Sequence, residues 1–333
     1  MDERVRVLRR ADVEASIDMA SCIEVCEAAF IAAARDAVEL PEVIHLDVPE
    51  AGGEIHVKAG HIHGFPRYAV KVASGFASPG GGTTVVDGLI VVFDATDGRP
   101  LAFLLDDGYI TDLRTGAAGG IAARHLAPER VERVAVIGTG GQARAQVEAL
   151  AVVRPGVFEV RVWGRSPERA EACVADLRGP VAAAAERATI AARVAGSVRE
   201  AVEDAEVVIT CTASREPLVS RDWLATGAHV TAVGSDGPGK QELDPAILEE
   251  ADLVVADSVE QCSRLGELQH ARGAIARARD LGSVCAGEAP GRSSGDQLTV
   301  CDLTGLGIQD VAAASQVVMH AEATPELGSW IDL

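Results

Sequence analysis

A short apolar strand, Val134-Ala135-Val136-Ile137, runs directly into Gly138-Thr139-Gly140-Gly141-Gln142-Ala143, and that segment opens a helix. No other feature constrains the fold of this chain so tightly. Gly138 permits the tight turn, and Gly140 lets the backbone approach a pyrophosphate. Ala143 is small enough for the helix to pack close to the strand. Together with Gln142 they form the G-x-G-x-x-A pattern of a dinucleotide site, in the strand-then-helix context the pattern requires. The helix N-terminus offers unpaired N–H groups and the positive end of its dipole to a phosphate.

The pattern downstream agrees. Candidate strands at Val160–Trp163, Val207–Thr212, His229–Val233, Leu253–Ala256 and Leu298–Leu303 are separated by helical stretches, which reads as a doubly wound parallel sheet. Thr212 and Val233 end two of these strands and join the expected cofactor contacts. The second strand ends Val162-Trp163-Gly164-Arg165-Ser166, with no acid to grip a ribose 2′-hydroxyl. Arg165 and Ser166 suit a 2′-phosphate instead, which favours NADPH over NAD.

The first part of the chain has another rhythm. A helix is expected over Asp18–Ala37, followed by strands at 43–48, 54–58, 68–72, 89–93 and 101–105. Asp97-Gly98 reads as a hairpin turn between the last two. Short turns between consecutive strands predict a mostly antiparallel sheet. Helices are expected at Asp112–Leu126 and Ile308–Ala323.

Composition narrows the function classes. The net charge is −20, which disfavours nucleic acid and anionic membranes as partners. No run approaches the length of a spanning helix, and the charged start Met1-Asp2-Glu3-Arg4 does not resemble a secretory signal. Seven cysteines without a C-x-x-C pair fit a reducing cytoplasm better than a disulfide framework. Cys22 and Cys26, four apart on an apolar helix, read as core packing. His61-x-His63 lacks an evident third ligand, so no metal is expected.

Of thirty basic residues only three are lysine, namely Lys58, Lys71 and Lys240. Arginine does not supply a point charge with a tunable pKa, so each lysine is of interest. Lys71 lies mid-strand between Val70 and Val72, where a charge is costly unless paired or functional. Lys58 shares a strand face with His56 and Glu54. Arg114, expected at a helix start, is a candidate fork for a substrate carboxylate, and Thr115 beside it a candidate phosphate donor. Asp236 follows the strand His229–Val233, on the side where open parallel sheets bind ligands. A carboxylate there can stabilise an iminium or pass a proton.

Four segments, in order, resemble the ornithine cyclodeaminase/mu-crystallin family: Asp112–Ala118, Ile137–Ala143, Ala232–Leu243 and Asp302–Asp310. The resemblance implies a Rossmann-type domain, 128–307, inserted into a mostly antiparallel α+β substrate and dimerisation domain, 1–127 plus 308–333. It implies a homodimer with Lys71 near the substrate, Arg114 as carboxylate anchor, Asp236 as the catalytic aspartate, and Thr84 near the cofactor. The family often has proline where Thr83 stands. Pro41 is followed by Glu42-Val43-Ile44-His45, without the additional arginine that many cyclodeaminases carry there, which argues against ornithine as substrate. The stretches Gly53–Lys58, Leu105–Tyr109 and Leu265–Ala271 are similar to the ectoine-utilisation branch, and the last also to iminosuccinate reductases. The expectation is NAD(P)H-dependent reduction of a small imino acid, with Asp236 and Lys71 catalytic and Arg114 and Lys58 binding substrate. The alternatives are redox-neutral cyclodeamination and a cofactor-bound protein without turnover.

Overall fold

The computed structural model describes residues 4–77, 84–184 and 189–332. They divide into two compact units, 1–114 with 306–333, and 115–305. The division falls inside the helix Tyr109–Leu126.

The first unit is built on a mostly antiparallel eight-stranded sheet. Its strands are β1 (Arg4–Arg9), β2 (Val38–Glu39), β3 (Ile44–Val48), β4 (Gly53–Ile62), β5 (Arg67–Ala77), β6 (Thr84–Asp94), β7 (Pro100–Leu105) and the C-terminal β18 (Ser329–Asp332). Their order is β18-β1-β7-β6-β5-β4-β2, with β3 also on β4; among the described residues only β1 and β7 pair in parallel in this sheet. Asp97-Gly98 lies in the β6–β7 turn as expected, with Gly98 at φ 78°. Two long helices are among the described elements that pack within this unit. Met19–Ala34 starts at Asp18, whose carboxylate accepts from Ser21 N–H at 2.8 Å. Gly307–Ala323 lies against β4, β5 and β6, and its first residue touches β4 so closely that a Cβ there would sit 2.3 Å from the Ala59 carbonyl. Cys22 and Cys26 are buried thiols with sulfurs 3.9 Å apart.

The helix Tyr109–Leu126 begins a turn earlier than the expected Asp112. Asp107 and Gly108 take positive φ, and the Asp106 carboxylate accepts the Ile110 N–H at 2.7 Å. That acid caps the first turn three residues upstream of the apolar pattern.

In the second unit the strands are β8 (Arg133–Ile137), β9 (Val157–Trp163), β10 (Thr189–Val194), β11 (Val207–Thr210), β12 (Arg215–Val219), β13 (His229–Ala232), β14 (Gln241–Leu243), β15 (Leu253–Ala256), β16 (Arg279–Asp280) and β17 (Thr299–Asp302). Eight of them form a parallel sheet in the order β10-β9-β8-β11-β13-β17-β15-β16, while β12 and β14 pair separately. This is the doubly wound arrangement, with the order reversing between β8 and β11. Its faces carry separate cores. Val134, Val136, Val207 and Ile209 point into one, Ala135, Ile137, Val208 and Val230 into the other. β10 went unrecognised in the sequence because Ala191 and Ala192 carry little strand preference.

Candidate functional site

In the second unit the glycine motif forms the expected turn. Gly138 has φ 137°, and a Cβ there would lie 2.5 Å from the Cys211 sulfur and 2.7 Å from its carbonyl oxygen. Gly140, by contrast, has open space where its Cβ would be. It is the N-cap of the helix Gly141–Val153 and offers no side chain to the first N–H groups. Ala143 is fully buried against the strand. Arg144 braces the turn, donating to the Thr139 and Gly140 carbonyls at 3.0 Å while its Nε bonds Asp176 at 2.7 Å. Gln142 lies in the first helical turn and accepts from Gln146 at 3.3 Å. A small, open, uncapped helix start of this kind fits a pyrophosphate.

Arg165 is exposed just beyond β9, next to Gly164, where a Cβ would meet the Thr139 methyl at 2.4 Å. The strand end therefore sits close against the glycine turn. Ser166 has a different task from the one expected. Its hydroxyl caps the helix Pro167–Asp176, accepting from Arg169 N–H at 3.3 Å and donating to Glu168 at 2.7 Å.

The loops after β11 and β13 are joined by a buried carboxylate. Glu242 accepts from the Thr212 N–H at 2.6 Å and the Gly234 N–H at 2.8 Å, and burial pushes its pKa up to about 7. Val233, the residue before Gly234, is buried. Asp236 is half-buried and receives Lys240 Nζ at 2.7 Å.

The first unit holds a second cluster. Lys71 is 3% exposed and donates to Asp310 Oδ1 at 2.7 Å; Arg114 Nε reaches the same oxygen at 3.2 Å. Burial, and then the Arg114 charge, push the Lys71 ammonium down to about 7, with Asp310 opposing. Burial alone would raise Asp310, but the two cations outweigh it and hold its pKa low. Gln309 ties the helix Gly307–Ala323 to Arg114 by donating to its carbonyl at 3.0 Å. Lys58 lies opposite Lys71 on the same face of the β4–β5 ladder and is half-buried.

Three expectations need correcting. Arg114 is not at a helix start but in the second turn, and a buried acid, Asp310, offsets its charge. Thr115 is likewise in the second turn, and its carbonyl accepts from Gln146 at 2.8 Å. The loss of Ser166 to a helix cap is the third. Thr84 opens β6 in register with Ala77, and Thr83 lies outside the described residues. Asp310 and Glu242 were missed as site residues. The signal for Asp310 was an acid in the first turn of a helix that is apolar on nearly every side.

Comparison with known proteins follows the same lines. The model of the ornithine cyclodeaminase/mu-crystallin family matches residues 3–324. An uncharacterized cyclodeaminase of Sinorhizobium fredii is 40% identical over 319 residues, covering 94% of this chain and 93% of that one. The structure of an archaeal alanine dehydrogenase dimer with bound NAD superposes with a TM-score of 0.86 at 34% identity, covering 98% of this chain and 99% of that one. The Δ1-pyrroline-2-carboxylate reductase of Thermococcus litoralis, in complex with NADH and L-proline, gives 0.87 at 27% identity, with 98% and 99% covered.

Proposed function

The chain belongs to the ornithine cyclodeaminase/mu-crystallin family, and from that premise we propose that it reduces the C=N bond of a small imino acid with a nicotinamide dinucleotide. The observation that carries this reading is the buried cluster of two cations sharing one carboxylate, Lys71 and Arg114 on Asp310. With Lys71 protonated it keeps one positive charge in a dry place. A substrate carboxylate would satisfy that charge, and the terminal nitrogens of the Arg114 fork suit it.

Gly138, Gly140, Gln142 and Ala143 would hold the pyrophosphate, with Thr84, Thr212 and Val233 as further cofactor contacts. When bound, the dinucleotide supplies the hydride. Arg114 fixes the substrate carboxylate and Lys58 adds to the positive field. Lys71, near neutrality, can give up or retain a proton at physiological pH, as an acid–base group requires. Asp236, a carboxylate in its ion pair with Lys240, stabilises positive charge on the iminium nitrogen. Arg165 favours NADPH by its charge alone, since Ser166 caps a helix; the solved relatives named above hold NAD or NADH.

The test is nicotinamide absorbance with NADPH or NADH and a panel of 2-oxo acids plus ammonia or methylamine, so that imines form in solution. Consumption with one acid identifies the substrate class. A flat trace with demonstrable cofactor binding overturns the reading. Ammonia release from a diamino acid without net cofactor change would then establish the second reading, redox-neutral cyclodeamination, which the S. fredii relative favours. Asp236 stands against a third, a binding protein without turnover.

A homodimer is part of the proposal. Register aligns Ile44, Val57, Val72 and Leu89 in one apolar row across β3 to β6. Ile44 is 62% exposed and Leu46, on the same face, 55%. An exposed apolar row of this kind calls for cover, and a second copy would supply it; light scattering tests this. Free cysteines suit the cytoplasm, and no described helix is long and apolar enough to cross a membrane.

A further inference from the structure

Four carboxylates in the second unit are almost fully buried with no ion pair among the described residues, Asp257 at 3% exposure and three that form a linked series: Glu242 and Asp302 at 0% and Glu267 at 1%. Each accepts backbone N–H groups. Asp302, at the end of β17, takes Leu268 N–H at 2.9 Å. Glu267, next in the chain to Leu268, takes Glu242 N–H at 2.7 Å and Leu243 N–H at 3.3 Å. Glu242 in turn takes Thr212 N–H and Gly234 N–H, the roots of the loops after β11 and β13. The fit is close, since a Cβ on Gly234 would lie 2.6 Å from the Glu242 carboxylate and 2.1 Å from the Thr212 carbonyl.

The far end of the same loop is held from the segment 266–270. Gln269 Oε1 accepts from Gly239 N–H at 2.9 Å, and its amide nitrogen donates to the Gly237 and Lys240 carbonyls at 3.4 and 3.3 Å. His270 Nε2 is 2.8 Å from the Lys240 carbonyl, which also accepts from Ser235 Oγ at 2.9 Å. The Leu265–Ala271 stretch thus has a structural task that its sequence did not reveal.

Burying a carboxylate is a poor way to gain stability, because an apolar residue of similar volume generally does better. What it supplies is geometry, two N–H groups held by one rigid acceptor. The residue between these two anchorages is Asp236.

We propose that Glu242 is a positioning residue for the reaction, fixing the loop 234–240 at its root so that Asp236 is held where it works, with Gln269 fixing the far end. This rests on the role given to Asp236 above.

The test uses the full-length protein with its dinucleotide. Glu242→Gln keeps the shape but replaces one of two acceptor oxygens by an amide nitrogen. Turnover of the imine should fall by about ten-fold, with KM for the imino acid within about three-fold. Amide exchange in peptides covering 233–241 should quicken by about ten-fold, while that of β13 and β17 stays as it was. In an Asp236→Asn background, Glu242→Gln should change the residual turnover by less than about two-fold, because a residue acting through Asp236 has nothing left to act on. Wild-type turnover and exchange in Glu242→Gln would overturn the proposal, as would an equal fold-loss with and without Asp236. If Glu242→Gln does not fold, Gln269→Ala takes its place, and unchanged turnover and exchange there overturn it equally. Absence of imine turnover in the wild type is a failure of the reaction reading instead. The exchange measurement needs no substrate, so it still decides whether Glu242 holds the loop.

Discussion

Two lysine–aspartate pairs of the same length, 2.7 Å, differ in almost everything else. Lys240 and Asp236 are four residues apart in one loop, and the aspartate side chain is 44% exposed. Lys71 and Asp310 are 239 residues apart and exposed by 3% and 2%. Although the Lys240 side chain is only 13% exposed, water reaches the aspartate of the first pair and screens it, so the pair organises a loop at little energetic consequence. The second is dry and carries Arg114 as well, so removing one partner leaves a charge with nothing to replace the lost partner. An equal contact distance therefore says nothing about equal worth; burial decides it.

The largest expected effect breaks that contrast directly. Asp310→Ala should lower unfolding stability by about 3–5 kcal/mol, whereas Lys240→Ala should cost less than about 1 kcal/mol. Urea midpoints of the two variants measure both, and equal losses would refute the comparison. Asp236→Asn should do the reverse of Asp310→Ala, leaving the midpoint and cofactor affinity in place while turnover drops by about 100-fold, or about 2.7 kcal/mol of barrier. Unchanged turnover would take Asp236 out of the mechanism.

A pH series sharpens the difference further. The folded-state pKa of Lys71 is pushed from 10.5 down to about 7. Between those values the unfolded chain binds the extra proton, so stability contributed at this site rises with pH across the window and is lowest below it. Wild type minus Lys71→Met should therefore show a positive slope, at most about 1.4 kcal/mol per pH unit. A flat difference would mean that Lys71 stays charged throughout. The smallest effect concerns cofactor choice. Arg165→Ser should cut the preference for NADPH over NADH by about ten-fold, about 1.4 kcal/mol, as read from the ratio of kcat/KM values. No change would leave Arg165 as a solvated loop residue.

What could be read in advance followed the distance along the chain over which each feature is built. The turn from Val134 to Ala143 is contiguous and made largely by backbone, so its residue types reveal it. The parallel strands are short apolar runs, visible for the same reason. β10 was not, because its alanines fit a strand only once β9 is beside them. The start of Tyr109–Leu126 depended on Asp106, whose role as a cap becomes evident only from the positive-φ turn that follows it. Lys71 stood out as a charge within an apolar strand, but nothing near it in sequence names its partner.

By itself, then, the amino-acid order determined the class of sheet in each part of the chain, the dinucleotide turn, and the residue types able to do chemistry. Those follow from local periodicity, glycine placement and side-chain pKa. The tertiary structure alone decided that Lys71 and Arg114 share Asp310, that Glu242 ties two loops together, and that Ser166 serves a helix end. Each depends on residues from separate segments arriving at one buried point, where the loss of water multiplies the strength of every charge and hydrogen bond.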